Sequence, residues 1–167
     1  MEVVITVTDA VESAPSVAFA QILSASFRYR RIEPTMIQAL QPQAILNLSS
    51  REASGSDFIK DLTEMSENLE FHIDVQTFGS PTESADFIIP SAPDVVEKEL
   101  QSVLTESLDL FSEVSAREMN YNNLYPSTYS ALVLRVPTLT ILVNEGSVDL
   151  FRAAADEVAE IVENYPG

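Results

Sequence analysis

Cysteine is absent from the 167 residues, which excludes disulfides, cysteine-ligated zinc and a thiol nucleophile. Glycine occurs only at Gly55, Gly79, Gly146 and Gly167. Neither Gly-x-Gly-x-x-Gly nor a P-loop can be written with them, and Gly-x-Ser-x-Gly is missing too. Dinucleotides, nucleoside triphosphates and the hydrolase nucleophile elbow therefore lose their usual signals. Lysine is limited to Lys60 and Lys98. The clustered cations that a phosphate backbone requires reduce to Arg28-Tyr29-Arg30-Arg31, so nucleic acid is not an expected partner. Met1-Glu2-Val3 opens the chain without a basic stretch, and no apolar run approaches the ~20 residues of a membrane span. The expectation is a cytoplasmic protein with no membrane contact.

What the chain has in excess is acid. Twenty-six Asp and Glu face nine Lys and Arg, a formal net charge of −17. A disordered acidic tail would gather its carboxylates in one block and lack apolar residues. Here they run from Glu2 to Glu163, and 46% of the residues are hydrophobic. The chain is thus expected to fold with an acidic surface. Self-repulsion at this charge density weakens a compact state unless salt screens it, and at molar salt the Debye length is about 3 Å. Salt adaptation follows as the reading of the charge. A length of 167 residues suits a single domain, 1–167, with a sizeable core.

Hydrophobic periodicity alternates between strand and helix. Glu2 to Thr8 is β-branched and reads as the first strand. Ser13 and Pro15 signal a helix bearing Val17, Ala20, Ile22 and Leu23. Pro34 is expected to open a short helix with Met36, Ile37 and Leu40, ended by Pro42. Ala44 to Leu48 reads as a second strand, Phe58 to Leu69 as a helix and Phe71 to Phe78 as a third strand. Phe87-Ile88-Ile89 is a brief strand among prolines. Asp94 is expected to cap a helix that keeps its period through Phe111 and Val114 to about Arg117. Met119 to Tyr129 reads as a loop, Leu132 to Leu134 as a short strand and Leu139 to Val143 as a clear one. Gly146, expected at positive φ, turns the chain into a final helix whose Val148, Phe151, Ala155, Val158, Val162 and Tyr165 form one stripe. Apolar strands alternating with amphipathic helices define an α/β class: a three-layer α/β/α architecture with a mostly parallel central sheet flanked by helices. Ligands on such sheets bind outside the carboxyl ends of the strands.

Three segments at those ends carry a resemblance. Val3-Val4-Ile5-Thr6-Val7-Thr8-Asp9-Ala10-Val11-Glu12 resembles the strand ending His-Gly-x-Glu in zinc carboxypeptidases and the related aspartoacylase and succinylglutamate desuccinylase deacylases. Leu40 to Arg51 resembles the strand ending Asp-Leu-His-Ser that brings a further zinc ligand, and Pro137 to Val143 the strand that carries the catalytic Glu. In this likeness Asp9 and Ser49 stand in place of the two His, and Leu142 in place of the base. Only Glu12 keeps the family's residue type. A catalytic zinc needs three protein ligands and an open water position, so the resemblance implies a pseudoenzyme that has kept scaffold and cleft, with no metal and no cofactor.

The candidate ligand-binding residues are Asp9, Glu12, Ser49, Ser50, Arg51 and Glu145, with Arg51 and nearby backbone N–H groups suited to an anionic group. Parallel order would bring them around one cleft. Carboxylates such as Asp9 and Glu12 are more often solvated or partners of the following helix's N-terminal dipole, and Glu145 is more readily part of a strand-to-helix turn. His72, the only histidine, alternates with Asp74 on one face of the third strand and reads as a hydrogen-bonded structural residue. Two function classes follow. One is a non-catalytic amidohydrolase relative that binds a small polar or acylated amino-acid-like ligand. The other is an interaction module, with a second copy as a candidate partner, working through Tyr121, Tyr125 and Tyr129, whose rings bury area at low entropic cost. An active metal-dependent amidohydrolase is the third option.

The charge imbalance makes stability depend on salt. Denaturation midpoints measured at ~0.1 M and ~2 M potassium chloride should rise with salt as the acidic surface is screened; equal midpoints would refute salt adaptation.

Overall fold

The computed structural model describes residues 1–7, 13–38, 64, 67–78, 84–91, 98–118 and 127–165. Among these residues, six strands form one sheet in the order β2-β1-β3-β6-β4-β5. They are β1 (Val3–Val7), β2 (Thr35–Gln38), β3 (Phe71–Thr77), β4 (Phe87–Ser91), β5 (Val114–Glu118) and β6 (Thr138–Val143). Between and after them lie α1 (Pro15–Tyr29), α2 (Lys98–Asp109), α3 (Ser127–Leu132) and α4 (Val148–Glu163). β2, β1, β3 and β6 are mutually parallel. β4 runs antiparallel to β6, and β5 is parallel to β4. The sheet is mixed but mostly parallel, and helices lie on both faces, as the alternating pattern required.

The two faces of the sheet differ chemically. Val3, Ile5 and Val7, with Phe71, Ile73 and Val75 and with Leu139, Ile141 and Val143, point to one side and join α1, α2 and α4 in a single buried cluster. Phe19 on α1 meets the Phe151 ring of α4 edge-on at 5.6 Å and lies 5.7 Å from Phe87 of β4. The stripe read from Val148 to Tyr165 therefore packs on the sheet through Phe151, Ala155, Val158 and Val162. On the opposite face, the same strands present Thr6, His72, Asp74, Thr138 and Thr140, all buried, and α3 packs over β3 and β6 there.

Helix ends obey local rules with tertiary help. α1 begins with Pro15 after Ala14, which offers no capping side chain, so Ser13 is not its cap. The Ser16 N–H is instead taken by the hydroxyl of Thr77, at 3.1 Å, which ties the helix start to the end of β3. At its far end the N–H of Ile32 returns to Phe27 O and that of Arg31 to Arg28 O, both at 2.9 Å. Arg31 takes the left-handed position, φ 63°, in the Schellman pattern that more often uses glycine.

Several local expectations need correction. Thr35–Gln38 is a strand paired in parallel with β1, not a helix opened by Pro34. Proline is as acceptable just ahead of an edge strand as in a first helical turn, and pairing with β1 settled the choice. α2 ends at Asp109 rather than near Arg117. Ser112 folds back on Leu108 through both its N–H, at 3.0 Å, and its hydroxyl, at 2.6 Å, and Val114 then joins Phe87 across β4 and β5. Ser127–Leu132 is helical, so Tyr129 belongs to α3 rather than a loop, and Leu132 to Leu134 is a helix end and turn, not a strand. The Ala44 to Leu48 strand, most of the Phe58 to Leu69 helix and the Asp94 cap lie outside the described residues. Among the described residues, no helix is long and apolar enough to cross a membrane.

Gly146 is not at positive φ. Its role is close approach: a Cβ there would stand 2.9 Å from Phe151 Cε1 and 3.1 Å from Leu150 Cδ2, and the Phe151 ring is held by Phe19 and Phe87. Gly146→Ala is expected to cost about 1–3 kcal/mol by overpacking, read from urea denaturation, whereas Glu145→Ala beside it, on an exposed side chain, should leave stability within about 0.5 kcal/mol.

Candidate functional site

The parallel strands β1, β2, β3 and β6 end at one edge of the sheet, and β4 and β5 begin there. This is where such sheets bind ligands. β6 leads into Asn144, whose N–H donates to Asp86 O at 3.0 Å and whose side-chain amide reaches Ala85 O at 3.3 Å. The Asp86 carboxylate in turn accepts the Glu113 N–H at 2.9 Å, so the starts of β4 and β5 are stitched to the end of β6. Glu145 lies on this edge with an exposed side chain, its N–H donating to Asn144 Oδ1 at 2.9 Å. Ser147 caps α4 by accepting from Leu150 N–H at 3.1 Å. Of the residues expected to bind ligand, only Glu145 can be placed. Asp9, Glu12, Ser49, Ser50, Arg51, Tyr121 and Tyr125 lie outside the described residues, as does the side chain of Tyr129.

Leading down from this edge is a buried polar row along the less apolar face. Strand register sets Thr6 beside Asp74 and Asp74 beside Thr140, with His72 beside Thr138 one pleat below. Thr6 donates to Asp74 Oδ1 at 2.6 Å, and Gln76 donates its amide to Asp74 Oδ2 at 2.6 Å. Because the Thr6 hydroxyl proton is used there, its oxygen accepts from His72 Nε2, at 2.7 Å. His72 Nδ1 then accepts from the hydroxyl of Ser130 on α3, at 2.5 Å, which fixes the Nε2–H tautomer. Ser130 lies 3.1 Å from Thr138 Oγ1, and Thr138 donates to Val136 O at 2.8 Å. Burial pushes the His72 pKa down to about 3, so the ring is neutral.

His72 is therefore hydrogen-bonded at both ring nitrogens, as its pattern in β3 suggested. The rest of the row was missed. Its signal is present: Thr6, His72, Asp74, Gln76, Thr138 and Thr140 are polar residues at alternating positions in strands that are otherwise apolar. Leu142, at the position that the resemblance gives to the base, packs with Phe78 and Ile88 in a small apolar cluster. Among the described residues, no group of three or more His, Cys, Asp or Glu is placed to hold a metal ion.

Neither a family model nor a curated protein matches the sequence. Solved structures do match in fold. The chain is similar to the catalytic domain of the CD27L endolysin targeting Clostridia difficile, with TM-score 0.57, 14% identity, and coverage of 98% of this chain and 97% of that one. It is also similar to the N-acetylmuramoyl-L-alanine amidase AmiC2 of Nostoc punctiforme, with TM-score 0.53, 10% identity, and coverage of 99% and 96%. The LapA aminopeptidase of Legionella pneumophila matches with TM-score 0.56 and 11% identity over 96% of this chain and 50% of its own. The chain thus has a fold shared with amidases and peptidases as a group, rather than one tied specifically to zinc carboxypeptidases and aspartoacylases.

The His72 environment makes an acid-side prediction. Its folded pKa of about 3 lies below the ordinary value of 6.5, so the neutral ring stabilises the fold above pH ~6.5. That contribution is lost as pH falls from ~6.5 towards ~3, with a slope of up to about 1.4 kcal/mol per pH unit. The ring resonances of His72 should show no protonation between pH 7 and 5 in the folded protein; a titration with its midpoint near 6.5 would contradict the buried, doubly bonded ring.

Proposed function

We propose that this chain is a non-catalytic relative of amidases and peptidases, adapted to salt, that binds a small polar or acylated amino-acid-like ligand at the carboxyl edge of β1, β2, β3 and β6. One observation carries the reading: the sequence has one histidine and no cysteine, and both nitrogens of that histidine are committed to Thr6 and Ser130. A catalytic zinc of the hydrolase type draws on imidazole or thiolate as well as carboxylate. Here the available donors are carboxylates and other oxygens, which suit hard cations better, so the residues do not fit a catalytic zinc. The apolar packing of Leu142 supports the same reading, because the position that the resemblance assigns to a proton acceptor holds a side chain with none.

What the edge retains is recognition chemistry. Glu145 is exposed at the end of β6 and can receive an amino or amide N–H. Arg51, placed by the sequence after the second expected strand, would meet a carboxylate in bidentate fashion. Asp9 and Glu12 would complete a set with both signs of charge, as an amino-acid-like ligand requires. The acidic surface, at −17 overall, favours function in concentrated salt.

The test combines metal content, turnover and binding. Protein purified without chelator should carry no stoichiometric zinc and should not hydrolyse N-acyl amino acids or muramoyl peptides with zinc added. N-acetyl amino acids should raise its melting temperature, less so for Arg51→Ala and Glu145→Gln. Tight one-to-one zinc that disappears in Asp9→Ala and Glu12→Ala, together with turnover, would make the chain an enzyme and overturn the proposal. A panel of such ligands that never shifts the melting temperature would remove the binding role.

A further inference from the structure

We propose that the groove between α2 and α4, on the face of the molecule formed by α1, α2 and α4, docks a basic amphipathic helix of a protein partner. The groove encloses about 540 Å³. Apolar Leu100, Val103 and Ile161 and acidic Glu99, Glu157 and Glu160 are among the residues that line it. Ser107 on α2 donates to the Glu157 carboxylate on α4, while Leu100 and Val103 lie opposite Glu160 and Ile161. The two helices therefore run antiparallel, and the groove is a channel between their axes. Val103 is 46% exposed, although α2 has buried positions at Leu100, Leu104 and Leu108.

Charge sets this flank of α4 apart from the other. Towards α1, Asp156 and Glu163 pair with Arg30 at 3.1 and 3.6 Å. Burial opposes the charge on Arg30, yet Asp156 and Glu163, with Glu160 farther away, hold its pKa above the ordinary value. Towards α2, no arginine, lysine or histidine among the described residues lines the groove. Glu99, Glu157 and Glu160 make no ion pair among the described residues. An apolar channel with carboxylates outside any ion pair of the described residues along its helical walls is complementary to a helix that presents an apolar stripe flanked by Lys or Arg. A third helix laid between two antiparallel ones also meets ridges and grooves it can pack against. Because the carboxylates sit on both helices, the partner needs cations on both sides of its stripe, as an amphipathic basic helix provides.

The test uses a fluorescent Leu/Lys amphipathic peptide, a Leu/Glu counterpart and the 167-residue chain at ~0.5 M potassium chloride, where general attraction to the acidic surface is reduced. Anisotropy should show saturable one-to-one binding of the Lys peptide alone. The pair Glu99→Lys with Glu160→Lys should weaken it by at least ~10-fold, as should Val103→Asp in the apolar lining. The pair Glu67→Lys with Glu70→Lys makes the same charge change outside the groove, on exposed side chains, and should alter it by less than ~3-fold. Equal loss in both pairs would show that the peptide reads only the net charge and would overturn the proposal. So would binding indifferent to Val103→Asp, displacement of the peptide by spermine at stoichiometric concentration, or no binding at all. Circular dichroism of each variant confirms that losses are not due to unfolding.

Discussion

A carboxyl group in the middle of a sheet controls much of this structure. Asp74 is fully buried, and an isolated carboxylate in such a place carries a desolvation cost of several kcal/mol unless donors surround it. The fold answers with Thr6 from the neighbouring strand and Gln76 from the same strand, each at 2.6 Å. Both partners depend on register. A slip of β1 by one residue would bring Val7 or Ile5 to the position of Thr6 and take the Thr6 hydroxyl away from the carboxyl. Apolar pairing alone would tolerate more than one arrangement of strands this rich in Val and Ile; the polar row does not.

The same row links the layers. His72 carries the hydrogen-bond chain from Thr6 to Ser130, and Ser130 belongs to α3, so a helix too short to be stable alone is held on the sheet by a specific side chain as well as by packing. The opposite face needs no such device. There the cluster from Val3 to Val162 and the rings of Phe19, Phe87 and Phe151 give α1 and α4 a large apolar seat. Gly146 is shaped by that seat, since its missing side chain leaves room for the Phe151 ring.

What could be read from the sequence followed the strength of each local signal. β1, β3, β6 and α4 were legible because their apolar periods are long and unambiguous. β2 was not, because Pro34-Thr35-Met36-Ile37 fits a first helical turn as well as an edge strand, and the deciding contact, pairing with Val4 to Val7, is distant in sequence. The boundary after Asp109 was hidden because Phe111 and Val114 happen to continue a helical period. Only the return of Ser112 to Leu108 and the pairing of Val114 with Phe87 break it. Of the site, the alternation of His72 and Asp74 was visible, but their partners Thr6 and Ser130 lie 66 and 58 positions away from His72, beyond any local pattern.

The fate of the single histidine joins fold to function. In a hydrolase with a metal centre, an imbalance between structural and chemical demands on histidine is avoided by having several, so that some anchor and others ligate. Here one imidazole must do everything, and it sits in the polar row, neutral, with each nitrogen engaged. Freeing it to meet an ion would break the chain that satisfies Thr6 and Ser130, and protonating it would place a charge in a site that burial disfavours. The hydrogen bonds around the ring thus give it a structural role. That assignment leaves carboxylates such as those of Asp86 and Glu145 as the chemistry described at this edge of the sheet.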